Sequence, residues 1–190
     1  MTRVIGGRCG GLRLRVPTRG TRPTSDRVRE ALFSSVEAWL ARDSRAWPDV
    51  RVLDLCAGSG ALGLEAASRG AKSVTLVESD ARAFVVLEQN CSAVEAALDD
   101  RGVITPMRAD ARRVVLGLPV DVVFVDPPYS TPDEEVRSML ARLDDQGLLA
   151  PGALAVVERG AHATAPWPAP WQAVHDRTYG DTRLWYGRHG

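Results

Sequence analysis

The stretch Asp54-Leu55-Cys56-Ala57-Gly58-Ser59-Gly60-Ala61-Leu62-Gly63 decides the fold of this 190-residue chain. It begins at the end of a predicted strand over 50–55 and leads into a segment of helical character over 61–68. The order predicted is therefore a strand, a glycine turn and a helix. Its three glycines match the pattern G-x-G-x-x-G, in which glycine permits a tight turn and a close approach of the backbone to a ligand. The stretch therefore predicts the first unit of an α/β sheet.

Strands and helices alternate from Arg51 onward, as in a parallel sheet covered by helices on both faces. Further strands are predicted over 74–77, 103–107, 121–125 and 154–157. An antiparallel pair over 171–174 and 184–186 is predicted to close the sheet around the turn Gly180-Asp181. Pro106 lacks an N–H and places the third strand at a sheet edge. We expect a Rossmann-like α/β fold with a mostly parallel seven-stranded sheet.

The first 29 residues carry eight arginines and a single acid, Asp26, so this segment has a net charge of +7 although the whole chain is neutral. The planar fork of arginine suits bidentate contact with phosphate and stacking on bases. Residues 3–17 are rich in glycine, and Leu12, Leu14 and Val16 alternate with Arg13 and Arg15, which predicts a β-hairpin with an arginine-bearing face. A helix capped by Thr24 or Ser25 is predicted next, with Arg29 off its apolar stripe. We expect an arm that faces nucleic acid; the alternative is a basic surface without a partner.

The composition restricts the class of protein. With 45% hydrophobic residues, the chain suits one domain with a substantial core. Cys9, Cys56 and Cys91 form no C-x-x-C pair, which argues against a disulfide framework and against a zinc site. No segment has the roughly 18 consecutive apolar residues that a membrane span requires. We expect a cytoplasmic monomer with no metal and no membrane association.

A second motif, Asp126-Pro127-Pro128-Tyr129, follows directly on the apolar run 122–125. Its two prolines predict a stiff loop with exposed carbonyl groups at the strand end. Asp126 and the Pro127 carbonyl could accept the two protons of a planar amino group, while the ring of Tyr129 lies against the attached heterocycle. The alternative is a strand that ends in proline because prolines end strands.

Acids at predicted strand ends distinguish between two cofactors. Asp54 would lie close to the pyrophosphate of a nicotinamide cofactor, and the two negative groups would repel each other. S-adenosylmethionine carries an ammonium and a sulfonium, so an acid at this position favours it. Glu78 could then accept hydrogen bonds from the ribose hydroxyls, and Asp110 one from the adenine amino group. Taken singly, Asp54 could be a turn acid, Asp110 a helix cap, and the glycine pattern that of an NAD-dependent oxidoreductase.

Three blocks of the sequence, 22–33, 54–63 and 126–129, resemble the bacterial methyltransferases that modify the guanine N2 of 16S ribosomal RNA. The resemblance implies a class I methyltransferase domain over 23–190 and a basic hairpin arm over 1–22. It implies that the cofactor is S-adenosylmethionine and that Asp126, Pro127 and Tyr129 are catalytic. It also implies that the substrate is 16S ribosomal RNA within a 30S subunit or an assembly intermediate.

The resemblance assigns two further groups of residues. The cofactor-binding residues are Asp54, Ala57, Gly58, Ser59, Gly60, Glu78, Asp110 and Ala111. The RNA-binding residues, which the arginine count also favours, are Arg8, Arg13, Arg15, Arg22, Arg27 and Arg29. Other amino-directed methyltransferases share the glycine and Asp-Pro-Pro-Tyr motifs, so adenine N6 and the amide of a protein glutamine are alternative targets. A non-catalytic RNA-binding factor would have no use for the strand-end acids.

Overall fold

A computed structural model describes residues 2–17 and 24–190. Within these ranges the chain forms a two-stranded N-terminal sheet, four α-helices and a seven-stranded main sheet. In chain order the elements are β1 (Thr2–Arg3), β2 (Arg13–Leu14), α1 (Asp26–Arg42), β3 (Arg51–Asp54), α2 (Ala61–Ser68), β4 (Ser73–Glu78), α3 (Ala81–Leu98), β5 (Ile104–Arg108), β6 (Val120–Val125), α4 (Asp133–Asp145), β7 (Leu149–Gly160), β8 (Gln172–Tyr179) and β9 (Thr182–Arg188).

The strands of the main sheet lie in the order β5-β4-β3-β6-β7-β9-β8. Neighbouring strands are parallel, except that β9 runs antiparallel to both β7 and β8. The predicted Rossmann-like sheet and its closing antiparallel pair are confirmed, and β5, which contains Pro106, lies at an edge as predicted. The chain continues to β4 on one side of β3 and returns to β6 on the other. Ligands of open α/β sheets bind at the carboxyl ends of the strands at such a reversal.

Side chains of the central strands alternate between two hydrophobic cores, one on each face of the sheet. Val52 and Phe124 face the core that includes residues of α1, α2 and α3. Leu53 and Val123 face the opposite core, to which α4 contributes Leu140. This alternation is the period of two that a β-strand imposes. Because both faces are covered, the central strands are mostly apolar; acids end β3 and β4, and a further acid, Asp121, lies at the start of β6.

Strand β7 is longer than predicted. The sequence predicts a strand over 154–157 after a turn at Pro151-Gly152, whereas the structure extends the strand over Leu149–Gly160. The pairing with β6 shifts register between Val120 and Val122, which accommodates Gly152 at a φ of +70° inside the strand. The extension brings Glu158 and Arg159 to the same edge of the sheet as Asp126.

The N-terminal hairpin packs on α2 and α3. The buried carboxylate of Glu65 accepts the N–H groups of Ile5 at 2.5 Å and Gly6 at 2.9 Å. The Ser68 hydroxyl accepts the N–H of Cys9 at 2.8 Å and donates to the carbonyl of Gly6 at 2.6 Å. The predicted hairpin is therefore present, and side chains of α2 hold its backbone in place.

Apolar side chains of the hairpin belong to the main core. Val4, Cys9 and Leu14 are buried among residues of α1, α2 and α3. The predicted boundary between an arm over 1–22 and a domain over 23–190 lies outside the described residues and stays a prediction, as does the assignment of Arg22. No helix of the described ranges is long and apolar enough to cross a membrane.

Helix α1 corrects one prediction. Its cap is Ser25, whose hydroxyl accepts the N–H of Val28 at 3.3 Å. The sequence places Arg29 off the apolar stripe and assigns it to RNA, but its side chain is only 1% exposed. The cause is tertiary, because β1 covers the first turn of α1 and Arg29 donates to the Thr2 hydroxyl at 2.9 Å. Arg29 therefore presents no side chain to RNA in this structure.

We expect Glu65→Ala to release the hairpin. The change leaves two backbone N–H groups and the Arg69 guanidinium without a buried acceptor, which costs roughly 2–4 kcal/mol. Limited trypsin digestion should then cut faster at Arg8, Arg13 and Arg15. Glu134→Ala, which removes an exposed partner of Arg137, is the control and should digest like the wild type. Equal protection of the hairpin in both variants would contradict this prediction.

Candidate active site

The candidate site lies at the carboxyl ends of β3, β4 and β6. The strands β3 and β6 are parallel neighbours, and Asp54 lies opposite Phe124. Asp126, two residues after Phe124, therefore lies at the same edge of the sheet as Asp54. Glu78 ends β4. A cavity of about 270 Å³ opens at this edge, and the predicted site residues that line it are Gly58, Glu78, Asp110, Ala111, Asp126, Pro127 and Tyr129. A smaller cavity of about 60 Å³ adjoins Asp54, Ala57, Gly58, Ser59 and Asp126.

The glycine turn between β3 and α2 is tightly closed. Gly58 and Gly60 have φ values of +54° and +82°, in the left-handed region that favours glycine. The Gly60 N–H donates to the Ala57 carbonyl at 2.6 Å. At Gly63, a Cβ would lie 2.6 Å from a methyl carbon of Leu76, so this glycine lets α2 pack closely on β4. Gly58 and Gly60 therefore shape the turn, and Gly63 allows the short distance between α2 and β4.

Asp54 is a buried acid with one unused oxygen. Its side chain is 1% exposed, and Oδ2 accepts the N–H of Gly63 at 3.0 Å. Within the described part of the chain, Oδ1 is buried without a hydrogen-bond partner. Burial, reinforced by the charge of Glu78 and opposed by the N–H groups of Gly63 and Cys56, raises the pKa of Asp54 to about 7. An ammonium group beside Oδ1 would favour the ionised form.

Glu78 and Asp110 each have protein partners. Glu78 accepts the N–H of Gly58 at 2.9 Å and that of Asp80 at 2.7 Å, one on each carboxylate oxygen. Each oxygen keeps further acceptor capacity toward the cavity. Asp110 accepts the backbone N–H of Arg112 at 2.9 Å and binds its guanidinium, at 2.5 Å from Nη2. These hydrogen bonds lower the pKa of Asp110 to about 2 and keep it ionised.

Asp126 lies near two charged residues that the sequence analysis missed, Glu158 and Arg159. Burial, followed by the charges of Glu158 and Asp54, raises the pKa of Asp126 well above its ordinary value, and Arg159 opposes the rise. Burial also raises the pKa of Glu158, against a hydrogen bond that the Thr24 hydroxyl donates at 2.7 Å. Charged residues directly after the apolar run 154–157 repeat the pattern that singled out Asp126, and they could have been recognised by it.

Tyr129 stands at the mouth of the larger cavity. Its side chain is 52% exposed, and its hydroxyl lies 3.5 Å from that of Thr182. The Thr131 N–H donates to the Pro128 carbonyl at 2.9 Å and closes the loop, while Pro127 is buried against the cavity. A Cβ built at Gly160 would lie 3.7 Å from the Tyr129 ring, so the ring rests on β7 and keeps one face open.

The structure divides the predicted RNA-binding arginines. Arg8, Arg13, Arg15 and Arg27 are exposed, whereas Arg29 is buried. Two of the exposed side chains have partners, since Arg15 donates to Gln89 at 2.6 Å and Arg8 to the Leu98 carbonyl. No group of three or more His, Cys, Asp or Glu side chains that could hold a metal ion occurs in residues 2–17 and 24–190.

We expect Asp54→Asn to stabilise the free protein at alkaline pH. The folded state keeps the Asp54 proton to about pH 7, whereas an unfolded aspartate releases it at about pH 3.9, so ionisation lowers the stability of the wild type as pH rises through this window. Asparagine keeps the acceptor for Gly63 without the charge. The variant should therefore be more stable by roughly 1–3 kcal/mol at pH 8 and not at pH 4.

Urea denaturation at several pH values measures this difference, with the surface variant Asp176→Asn as a control. A constant destabilisation of Asp54→Asn at every pH would show that Asp54 is ionised and paired in the free protein.

A family model described as Conserved hypothetical protein 95 matches residues 2–188. Ribosomal RNA small subunit methyltransferase D of Escherichia coli K12 is 39% identical over 180 residues, which are 94% of this chain and 85% of that protein. The Haemophilus influenzae protein of the same name is 33% identical, over 94% of this chain and 89% of its own. The family match over residues 2–188 includes the hairpin, the glycine turn and the Asp-Pro-Pro-Tyr loop.

Solved structures agree with these relatives. A structure described as an Escherichia coli methyltransferase has a TM-score of 0.80 at 37% identity, over 99% of this chain and 97% of that one. A Salinibacter ruber RNA methyltransferase, solved with S-adenosyl-L-homocysteine, shares the fold alone, with a TM-score of 0.63 at 15% identity over 88% of this chain and 93% of its own. The chain therefore belongs to the ribosomal RNA small subunit methyltransferase D family and is an S-adenosylmethionine-dependent methyltransferase.

Proposed function

We propose that this protein transfers a methyl group from S-adenosylmethionine to the exocyclic N2 of a specific guanine in 16S ribosomal RNA. The observation that carries the proposal is the position of Asp126 in a cavity that Gly58 of the glycine turn and the exposed Tyr129 also line. The names of the two relatives support ribosomal RNA of the small subunit as the substrate. The protein would act as a cytoplasmic monomer on a 30S subunit or an assembly intermediate.

The residues at the strand ends fit the cofactor. Asp54 offers an unpaired buried oxygen to its ammonium, and the turn at Ala57, Gly58 and Ser59 leaves room for its methionine part. Glu78 has acceptor capacity for the ribose hydroxyls. Asp110 and Ala111 border the same cavity, on the side where the adenine would lie. When bound, the cofactor supplies an electrophilic methyl group.

The Asp-Pro-Pro-Tyr loop would hold the target amine. Its lone pair is delocalised into the purine, so the amine is a poor nucleophile until its nitrogen becomes more tetrahedral. Asp126 and the Pro127 carbonyl would accept its two protons and stabilise the positive charge that develops on nitrogen. Tyr129 would stack on the extruded base, a contact worth roughly 1–3 kcal/mol. Glu158, next to Asp126, adds negative charge on the same side.

The hairpin would contact the RNA backbone. The hairpin, whose backbone donates to Glu65 of α2, exposes Arg8, Arg13 and Arg15. Arg27 is exposed on α1. These four arginines give the hairpin and the start of α1 the positive charge that phosphate binding needs. Arg22 lies outside the described residues, and its contact with RNA is part of the proposal. The surface would set the position of the RNA, while the loop at Asp126 acts on the base.

The product identifies the target. Undermodified 30S particles and deproteinised 16S RNA are incubated with the protein and methyl-labelled S-adenosylmethionine, and the digested nucleosides are separated by chromatography. We expect label in N2-methylguanosine. Label in N6-methyladenosine would identify an adenine enzyme, and label in ribosomal protein would identify a glutamine enzyme; either result would overturn the proposal. The faster of the two substrates distinguishes assembled particles from free RNA.

We expect Asp126→Ala to lower turnover at least 100-fold while cofactor affinity changes less than about 3-fold, because the charge acts on the amine in the transition state. Asp126→Asn keeps an acceptor oxygen without the charge and should fall between the alanine variant and the wild type. The raised pKa of Asp126 predicts that wild-type turnover increases with pH as this carboxyl ionises, and that the asparagine variant loses this dependence. A near wild-type rate for the alanine variant would remove Asp126 from the mechanism.

A further inference from the structure

Arg29 is a buried cation with unused hydrogen-bond donors. It lies in the first turn of α1, and its side chain is 1% exposed. One nitrogen, Nη2, donates both to Asp26 Oδ1 at 2.7 Å and to the Thr2 hydroxyl at 2.9 Å. Within the described residues, Nε and Nη1 are buried without a hydrogen-bond partner. Buried polar groups normally have partners, so two unpaired donors on a guanidinium point to an absent acceptor.

Arg29 lies at the smaller cavity next to the glycine turn. Arg29 and Thr24 line it together with Asp54, Gly58 and Ser59. Its volume of about 60 Å³ is roughly that of two liquid water molecules, enough for a few heavy atoms and too little for a nucleoside. Asp54 Oδ1 is also buried and unpaired here. One cavity thus carries a cation with free donors and an acid with a free acceptor.

We propose that Arg29 binds the α-carboxylate of the methionine part of S-adenosylmethionine, while Asp54 takes its α-ammonium. The proposal rests on the cofactor site described above and adds the anchor that this site lacks for the carboxylate. A guanidinium donates charge-assisted N–H···O bonds to a carboxylate, and Nη1 alone carries two N–H groups. Among the described residues Asp26 and Thr2 bind only Nη2, so they orient the guanidinium and leave Nη1 available to a ligand.

Two other roles for Arg29 fit the structure less well. An RNA phosphate is bulky and strongly hydrated, and a side chain that is 1% exposed inside a small cavity offers it no surface. A purely structural link between α1 and β1 accounts for the two bonds of Nη2 and leaves Nε and Nη1 unexplained. A zwitterionic amino-acid group satisfies both unpaired residues of the cavity at once.

Calorimetric titration of the whole protein tests the proposal with three ligands. S-adenosylmethionine has the full amino-acid group, its decarboxylated analogue lacks only the carboxylate, and 5′-methylthioadenosine lacks the entire group. We expect the wild type to bind S-adenosylmethionine about 10- to 100-fold more tightly than the decarboxylated analogue, the range for a charged hydrogen-bonded pair. Arg29→Met should abolish this preference and leave the affinity for the other two ligands within about 3-fold.

Matched variants separate a binding role from a structural one. Arg29→Lys keeps the charge but not the planar guanidinium and should recover part of the preference. Arg42→Met removes an exposed arginine from the last turn of the same helix and should bind all three ligands like the wild type. Equal weakening of all three ligands by Arg29→Met would overturn the proposal. A wild type that does not distinguish S-adenosylmethionine from its decarboxylated analogue would also overturn it, and needs no folded variant.

Failure of the underlying cofactor site gives a different result. Glu78→Ala should weaken 5′-methylthioadenosine at least 10-fold, because this ligand keeps the ribose that Glu78 is proposed to bind. Unchanged binding of 5′-methylthioadenosine to Glu78→Ala would overturn the proposed position of the nucleoside. The carboxylate preference of the wild type and its loss in Arg29→Met are measured separately, so the two failures are distinguishable.

Discussion

The parallel pairing of β3 with β6 sets the distance between the two halves of the active site. The N–H of Leu55 donates to the Phe124 carbonyl at 2.9 Å, which continues the ladder to the point where both chains leave the sheet. Beyond this point β3 is followed by the glycine turn and α2, whereas β6 is followed by Asp126 and two prolines. A register shift of one residue would turn Asp54 or Asp126 to the opposite face of the sheet. The apolar side chains of both strands, buried on both faces, prevent such a shift.

The same edge concentrates negative charge that the free protein cannot fully solvate. Burial raises the pKa values of Asp54, Asp126 and Glu158, and Asp54 and Glu158 raise that of Asp126 further. The nearby cations are Arg159 and Arg29, and the first binds Asp133 at 3.0 Å and the Thr131 carbonyl at 2.5 Å. Such an arrangement lowers stability and favours positively charged ligands. A sulfonium cofactor with an ammonium group, and an amine that becomes cationic during transfer, both have this character.

The sequence predicted the parts of the site that follow from local chemistry. Local sequence is enough to place three features: the acids that follow apolar runs, the glycines that follow β3 and the prolines that follow β6. None of them requires knowledge of distant contacts. The extent of β7 was not predictable in this way, because a register shift absorbs Pro151-Gly152 inside the strand. The exposure predicted for Arg29 was wrong because helical periodicity counts arginine as polar, while β1, which is remote from α1 in the sequence pattern, covers that turn of the helix. Long-range pairing overrode the local pattern in both cases.

The hairpin separates the functions of its backbone and its side chains. Its backbone is bound on the inner side, where Glu65 accepts from Ile5 and Gly6, and where Asn90 pairs with both the N–H and the carbonyl of Arg15. Asn90 also donates to the Ser59 carbonyl at 2.8 Å, so one side chain joins the hairpin to the glycine turn. In the proposed function, arginines on such an element need little further ordering when RNA binds, which reduces the entropic cost of association. Asn90 thus holds in place both the glycine turn and the hairpin surface that is proposed to bind RNA.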